Sequence, residues 1–258
     1  MAFRVSILPV ITVAALCVSA FGCSQGQRSI DATADGQSSS TAPQTVGLVE
    51  DVLTEEEQAA LTPDMVIQSL KEGNGRFTRN DLTQRNHSAQ VRKSSNAQFP
   101  KAIVLSCVDS RVPVEDVFDR GIGDTFVARV AGNFINTDML GSMEFACRVA
   151  GAKLIVVMGH ENCGAIKAAI DDVELGNITP MLEKIQAARD EVDFDGEKSS
   201  SNAEYVHLVC ERNVRNAIDD IRSQSIILSE MELSGAIKIV GAIYDMDTGK
   251  VSFLPESK

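Results

Sequence analysis

The chain has 258 residues, with 24 Lys or Arg against 36 Asp or Glu, for a formal charge of −12. An acidic chain without a basic cluster argues against a nucleic-acid partner and against adhesion to anionic lipid other than through a covalent anchor. Small neutral or weakly charged substrates suit such a surface better.

In chain order, Arg4 gives a positive start, residues 5–20 form an apolar run broken by Pro9, and Ala20-Phe21-Gly22-Cys23 is a small-residue cleavage site ending on cysteine. Residues 1–22 therefore read as an export signal. The tetrapeptide resembles a bacterial lipobox, with Ala20 where leucine is commoner, which makes Cys23 the expected lipidation site and places the protein in the periplasm or cell envelope. The apolar run is shorter than the roughly 20 residues a spanning helix needs. Residues 23–47 are Ser, Gln, Thr, Ala, Asp and Gly with almost nothing large and apolar, the composition of a flexible tether. The remainder, 48–258, has the length of one α/β domain.

Within it, a helix is predicted over 63–77, capped by Thr62 with Pro63 in its first turn. Branched apolar runs at 102–105, 125–130, 154–158 and 237–243 read as buried strands. Between them lie helical patterns at 138–149 after an Asp cap, 165–173, 181–189 just after Pro180, and 204–221. An edge strand at 251–254 follows the turn Asp247-Thr248-Gly249. Alternation of strand and helix implies crossovers, hence an α/β fold with a mainly parallel central sheet flanked by helices.

Chemistry concentrates in Ser-Cys-Val-Asp-Ser-Arg, which holds Cys107 and Asp109, and in Gly-His-Glu-Asn-Cys-Gly, which holds His160 and Cys163. Two thiolates and a neutral imidazole cancel the charge of one zinc ion and leave a fourth tetrahedral position for water or for Asp109. Cys107 ends one predicted strand, His160 follows another, and Cys163 opens the next helix, where the dipole and free amides favour a thiolate. The carboxyl ends of parallel strands are where ligands bind. His87 and His207 read as surface or structural. Cys147 and Cys210 read either as buried thiols or, after export, as a disulfide, and Cys17 is lost with the signal.

Six stretches, Leu70-Lys-Glu-Gly-Asn-Gly-Arg-Phe77, Cys107-Val-Asp-Ser-Arg-Val112, Phe126-Val-Ala-Arg-Val-Ala-Gly-Asn133, Gly141-Ser-Met-Glu-Phe-Ala146, His160-Glu-Asn-Cys-Gly-Ala165 and Ile239-Val-Gly-Ala-Ile-Tyr244, together resemble the beta class of carbonic anhydrases over residues 63–254. The resemblance implies one zinc ion per subunit on Cys107, His160 and Cys163. It implies hydration of carbon dioxide to bicarbonate by hydroxide on that zinc, with Asp109 and Arg111 as the catalytic pair. Arg111 would hold Asp109 off the metal by a bidentate ion pair; released, Asp109 would become the fourth ligand. The pocket would take an amide from Gln98 and walls from Phe126, Ala131 and Phe145, with Phe145 replacing a commoner tyrosine and Ala131 a commoner valine. Val104 stands where some members carry a tryptophan of a regulatory bicarbonate site, which favours the open form of the metal site. No proton-shuttle residue is identifiable.

The same resemblance implies a homodimer or higher homo-oligomer, with the 63–77 helix as an N-terminal arm across the neighbouring subunit and the pocket at the interface. Two alternatives stay open: a sister hydrolase acting on carbonyl sulfide or carbon disulfide, and a non-catalytic zinc-binding module. The latter is expected to have lost Asp109 or Arg111, and both are present.

Overall fold

The computed structural model describes residues 47–255. The export signal, Cys23 and all but the last residue of the 23–47 tether lie outside the described residues. No helix among those described is long and apolar enough to cross a membrane.

A five-stranded sheet in the order β2-β1-β3-β4-β5 forms the centre. Its strands are β1 (Ala102–Ser106), β2 (Thr125–Arg129), β3 (Leu154–His160), β4 (Lys238–Tyr244) and β5 (Val251–Phe253). The first four run parallel, and β5 turns back antiparallel to β4. Every residue of β1 and β3 is buried, as the unbroken apolar runs require of strands covered on both faces.

Alternation along the strands separates two layers. Ile103, Leu105, Ile155 and Val157 face one core, and Ala102, Val104, Leu154, Val156 and Met158 face the other. The first layer holds α5 (Thr137–Glu144), the π-helical turn Phe145–Val149, α6 (Gly164–Ile170), α7 (Ile178–Glu191), α8 (Ala203–Gln224) and α9 (Ile226–Leu233). The second holds α2 (Pro63–Thr78) and α4 (Val114–Val117). Two short helices, α1 (Glu55–Ala59) and α3 (His87–Lys93), complete the N-terminal part.

The helix expected as an N-terminal arm buries one face on its own chain and leaves Met65, Gln68 and Glu72 exposed. Thr62 Oγ1 accepts from the Met65 N–H and starts α2, and Val66 and Leu70 are wholly buried. Gly73 is required by contact: a Cβ there would lie 1.9 Å from the Phe118 carbonyl oxygen. Buried Asn74 donates to the carbonyls of Val117 and Gly249 and accepts from the Val251 N–H, tying α2 to α4 and β5. Further on, Arg76, Arg85 and Thr83 converge on the buried carboxylate of Asp119.

Several boundaries differ from the expected ones for local reasons. The cap of α5 is Asn136, whose side chain accepts from Met139 N, and not Asp138; an extended Asn136 (φ −144, ψ 176) meets the N-cap requirement. The last turn of that segment widens into the π-helix. α7 starts at Ile178 because Pro180 falls within the first turn, where its missing N–H removes no helical hydrogen bond.

Strand register places the site. Ser106 pairs with Met158, so Cys107 leaves β1 level with Gly159 and next to His160 at the end of β3. Arg129, opposite Ser106 on β2, closes the same edge.

Candidate metal centre

Cys107, His160 and Cys163 meet at the carboxyl edge of the sheet, with their ligand atoms all within 4.8 Å of one another and all three residues buried. The two sulfurs are 4.0 Å apart. A left-handed residue, Asn162 (φ 53), turns the chain between β3 and α6 and sets Cys163 at the N-cap of α6.

The imidazole is oriented by its other nitrogen. His160 Nδ1 lies 2.8 Å from the Glu161 carbonyl oxygen; a carbonyl only accepts, so Nδ1 carries the hydrogen and Nε2 a free lone pair. Nε2 is buried and has no hydrogen-bond partner. An orphaned buried nitrogen facing two thiols is costly on its own and is satisfied by a cation. A donor set of two sulfurs and one imidazole nitrogen fits zinc.

The pair of thiols has room for one proton. The Cys107 thiol is driven down to about 4, first by the hydrogen bond with Cys163 and against the cost of burial, with help from His160 and the Gly132 N–H. Cys163 is pushed up by the same contact with Cys107 and by burial. Gly132 donates to Cys107 Sγ at 3.4 Å. Its φ is +80, and a Cβ there would lie 2.4 Å from Ile185 Cδ1, so only glycine brings this N–H to the sulfur.

Asp109 stands beside the cluster, its Oδ2 3.9 Å from His160 Nε2. Arg111 grips it in a fork: Nε donates to Oδ1 at 2.9 Å, Nη2 to Oδ2 at 2.7 Å, and the backbone N–H adds a third bond to Oδ1 at 2.9 Å. Those hydrogen bonds hold the carboxyl well below the usual range against burial. The loop itself is held by Arg129, which donates to the carbonyls of Cys107, Asp109 and Val112 at 2.9, 2.7 and 2.9 Å.

The structure thus brings together Cys107, His160, Cys163, Asp109 and Arg111, with Ala131 adjoining Gly132. The other pocket candidates lie elsewhere on the same chain. Phe126 pairs with Ile103, four positions before Cys107, or about 13 Å back along the sheet at roughly 3.3 Å per residue. Its ring meets that of Phe145 edge to face at 6.3 Å, in a cleft of about 390 Å3 shared with Met139 and Ser142. Phe145 is 52% exposed. Gln98 lines a separate cleft with Ser94, Asn96 and Gly123.

Cys147 and Cys210 are buried free thiols, each pushed up to about 12 by burial. They do not form the disulfide that export had left open. His207 sits next to the centre, with Nδ1 2.6 Å from Glu161 Oε1, whereas the sequence places it outside the motifs. Arg129 lies within one of the stretches that carry the resemblance, but nothing in the sequence assigned it a role.

A family model described as carbonic anhydrase matches residues 102–251. Carbonic anhydrase 2 of Mycobacterium tuberculosis is 36% identical over 188 residues, covering 70% of this chain and 88% of that protein. The carbonic anhydrase of Mycolicibacterium smegmatis is 31% identical over 186 residues, covering 71% and 89%. Among solved structures, the β-carbonic anhydrase CafA of Aspergillus fumigatus superimposes with a TM-score of 0.59 at 24% identity, over 76% of this chain and 91% of that one. A structure of two tetrameric β-carbonic anhydrases of Sordaria macrospora gives 0.57 at 20% identity, over 74% and 95%. The chain belongs to the carbonic anhydrase family and has the fold of its beta class.

Proposed function

We propose that the protein catalyses the reversible hydration of carbon dioxide to bicarbonate and a proton, using zinc held by Cys107, His160 and Cys163. The observation that carries this reading is the buried, partnerless Nε2 of His160 facing two thiols, beside a carboxylate already clamped by Arg111. Bound there, zinc supplies Lewis-acid activation of water near neutral pH.

The chain's own residues supply the orientation. Asp109, held ionised by Arg111, is an acceptor only, so it takes a hydrogen bond from the attacking oxygen and turns that oxygen's lone pair toward the carbon. Arg111 occupies both carboxylate oxygens and keeps Asp109 from becoming a fourth ligand. The proton leaves to buffer. The apolar gas needs an apolar wall with one polar handle. Gln98, Phe126 and Phe145 meet that need if a second subunit presents them, and their distance from their own chain's metal centre, with the half-exposed Phe145 ring, supports a homodimer or larger assembly. Export and a lipid anchor at Cys23 belong to the same proposal, carried by Arg4, the apolar run and the small residues before Cys23.

Stopped-flow hydration of carbon dioxide, with zinc content measured on the same sample, tests the activity. Fast hydration abolished by chelation is expected. Full zinc loading without hydration between pH 7 and 9, accompanied by sulfide release from carbonyl sulfide, overturns it in favour of the sister hydrolase. Incorporation of labelled palmitate, lost in Cys23→Ser, tests the anchor.

A further inference from the structure

Three polar side chains on α8, His207, Cys210 and Asn213, follow one another at intervals of three, so each sits one turn from the next on the side of the helix turned to the sheet edge. Each bonds to a group that itself touches the metal centre. Asn213 Nδ2 donates to the Gly132 carbonyl at 2.8 Å, and the Gly132 N–H donates to Cys107 Sγ. The Cys210 thiol donates to the His160 carbonyl at 3.5 Å. His207 Nδ1 bonds Glu161 Oε1, and the Glu161 carbonyl accepts from His160 Nδ1.

Apolar side chains do most of the docking of the helix, and Cys210 packs among them. Val206, Val209, Val214 and Ile221, all buried, pack α8 on the sheet, and Asn202 caps its start. A buried amide in such a face costs free energy unless it is bonded, and Asn213, 3% exposed, donates to the carbonyl of Gly132, the residue whose own N–H reaches a ligand sulfur. The spacing also matches the ligands: two contacts reach the His160-Glu161 dipeptide, and the third reaches the strand loop behind Cys107.

We infer that His207, Cys210 and Asn213 are positioning residues of the metal centre, acting through Glu161, the His160 backbone and Gly132 to fix the directions of the His160 imidazole and the Cys107 sulfur. The inference rests on the ligand assignment under the proposed function. A ligand held in place by such partners loses less freedom on binding and releases metal more slowly; removing a partner of this kind typically lowers metal affinity about 10- to 100-fold.

The test follows zinc leaving the loaded full-length protein for excess 4-(2-pyridylazo)resorcinol, with the thiolate-to-metal absorption of the cobalt-substituted protein recorded alongside. Zinc loss about 10- to 100-fold faster in Asn213→Ala, with a shifted cobalt band, is expected. Cys210→Ala should show a smaller acceleration, because a thiol is a weak donor, and Cys210→Ser should restore the slow rate. Ile221→Ala, buried on the same helix two turns further on, should lower the melting temperature and leave zinc loss unchanged. Equal zinc-loss rates in wild type and Asn213→Ala overturn the inference, as does an Ile221→Ala rate raised as much as that of Asn213→Ala. If Asn213→Ala yields no soluble protein, the Cys210 pair decides: equal rates in Ala and Ser overturn the inference, and a fast Ala with a slow Ser supports it. A wild-type protein that takes up no zinc overturns the ligand assignment itself, a result distinct from unchanged rates in zinc-loaded variants.

Discussion

Arg129→Met keeps an unbranched apolar stem and deletes the guanidinium, so it isolates the three hydrogen bonds to the carbonyls of Cys107, Asp109 and Val112. A hydrogen bond from a charged donor contributes about 1.5–3 kcal/mol net, so three would sum to roughly 4.5–9 kcal/mol. Arg129 is only partly buried, and water can reach some of the released carbonyls, which brings the expected loss to about 3–5 kcal/mol. That is a large share of the roughly 5–15 kcal/mol stability of a domain. At a urea slope of roughly 2–3 kcal/mol/M the unfolding midpoint should fall by about 1–2.5 M, measured on metal-free protein at fixed protomer concentration. Because Asp109 sits on the loop that is released, the zinc-loaded variant should also lose hydration activity. A midpoint within 0.3 M of wild type, on the order of 1 kcal/mol at that slope, refutes the claim that Arg129 holds the loop.

In the metal-free protein Cys107 should already be a thiolate at neutral pH, lowered by its hydrogen bond with Cys163, while Cys163 keeps its proton; the ultraviolet thiolate absorption of the metal-free protein at pH 7.5, compared with Cys107→Ser, checks it, and identical spectra contradict the assignment. Asp109→Asn should keep zinc and lose hydration activity on the order of 10²-fold at neutral pH; an unchanged rate removes Asp109 from the mechanism. Arg111→Ala should let Asp109 reach the metal, adding an oxygen neighbour in X-ray absorption at the zinc edge, and an unaltered spectrum counts against the clamp. At Asp119, burial raises the carboxyl but bonds from Arg85, Thr83 and Arg76 outweigh it and hold it at about 2. Since that lies below the unfolded value, the stabilisation is complete above about pH 4 and is lost as pH falls through about 2, on the order of 2 kcal/mol in all. Asp119→Asn should therefore be less stable at pH 6 and show a smaller decline from pH 5 to pH 3; parallel urea curves for the two proteins dispose of this account.

What the sequence carries and what it leaves out follows from the range of the interactions involved. β1 and β3 are legible because a strand covered on both faces must be apolar at every position, and α2 because Thr62 and Pro63 meet the requirements of a helix start within four residues. α9 is not: Ile226, Ile227 and Leu228 resemble a strand, and what makes them helical is the Ser225 cap on Leu228 N together with its bond to Glu144, 81 positions away in sequence. Asp119 gives no local sign of its role, since its partners Arg76 and Arg85 come from another part of the chain.

The metal ligands are legible for a different reason. Zinc constrains residue type strongly, and parallel topology brings strand ends to one edge whatever the details of packing, so Cys107, His160 and Cys163 can be selected without a distance. Positions that depend on register or helix rotation escape such reasoning. One step along β2 would turn Phe126 to the other face, and one residue of rotation in α8 would carry Asn213 about 100° away from Gly132. That is why Gln98, Phe126 and Phe145 had to come from family resemblance and fall away from their own chain's metal centre, while the roles of Arg129, His207 and Asn213 became visible only when the strands and α8 were in place. A residue that acts on metal chemistry through backbone has no characteristic neighbour in sequence. Its mark is a buried polar side chain bonded to a carbonyl on which a ligand depends, and α8 carries that mark at Asn213 and Cys210.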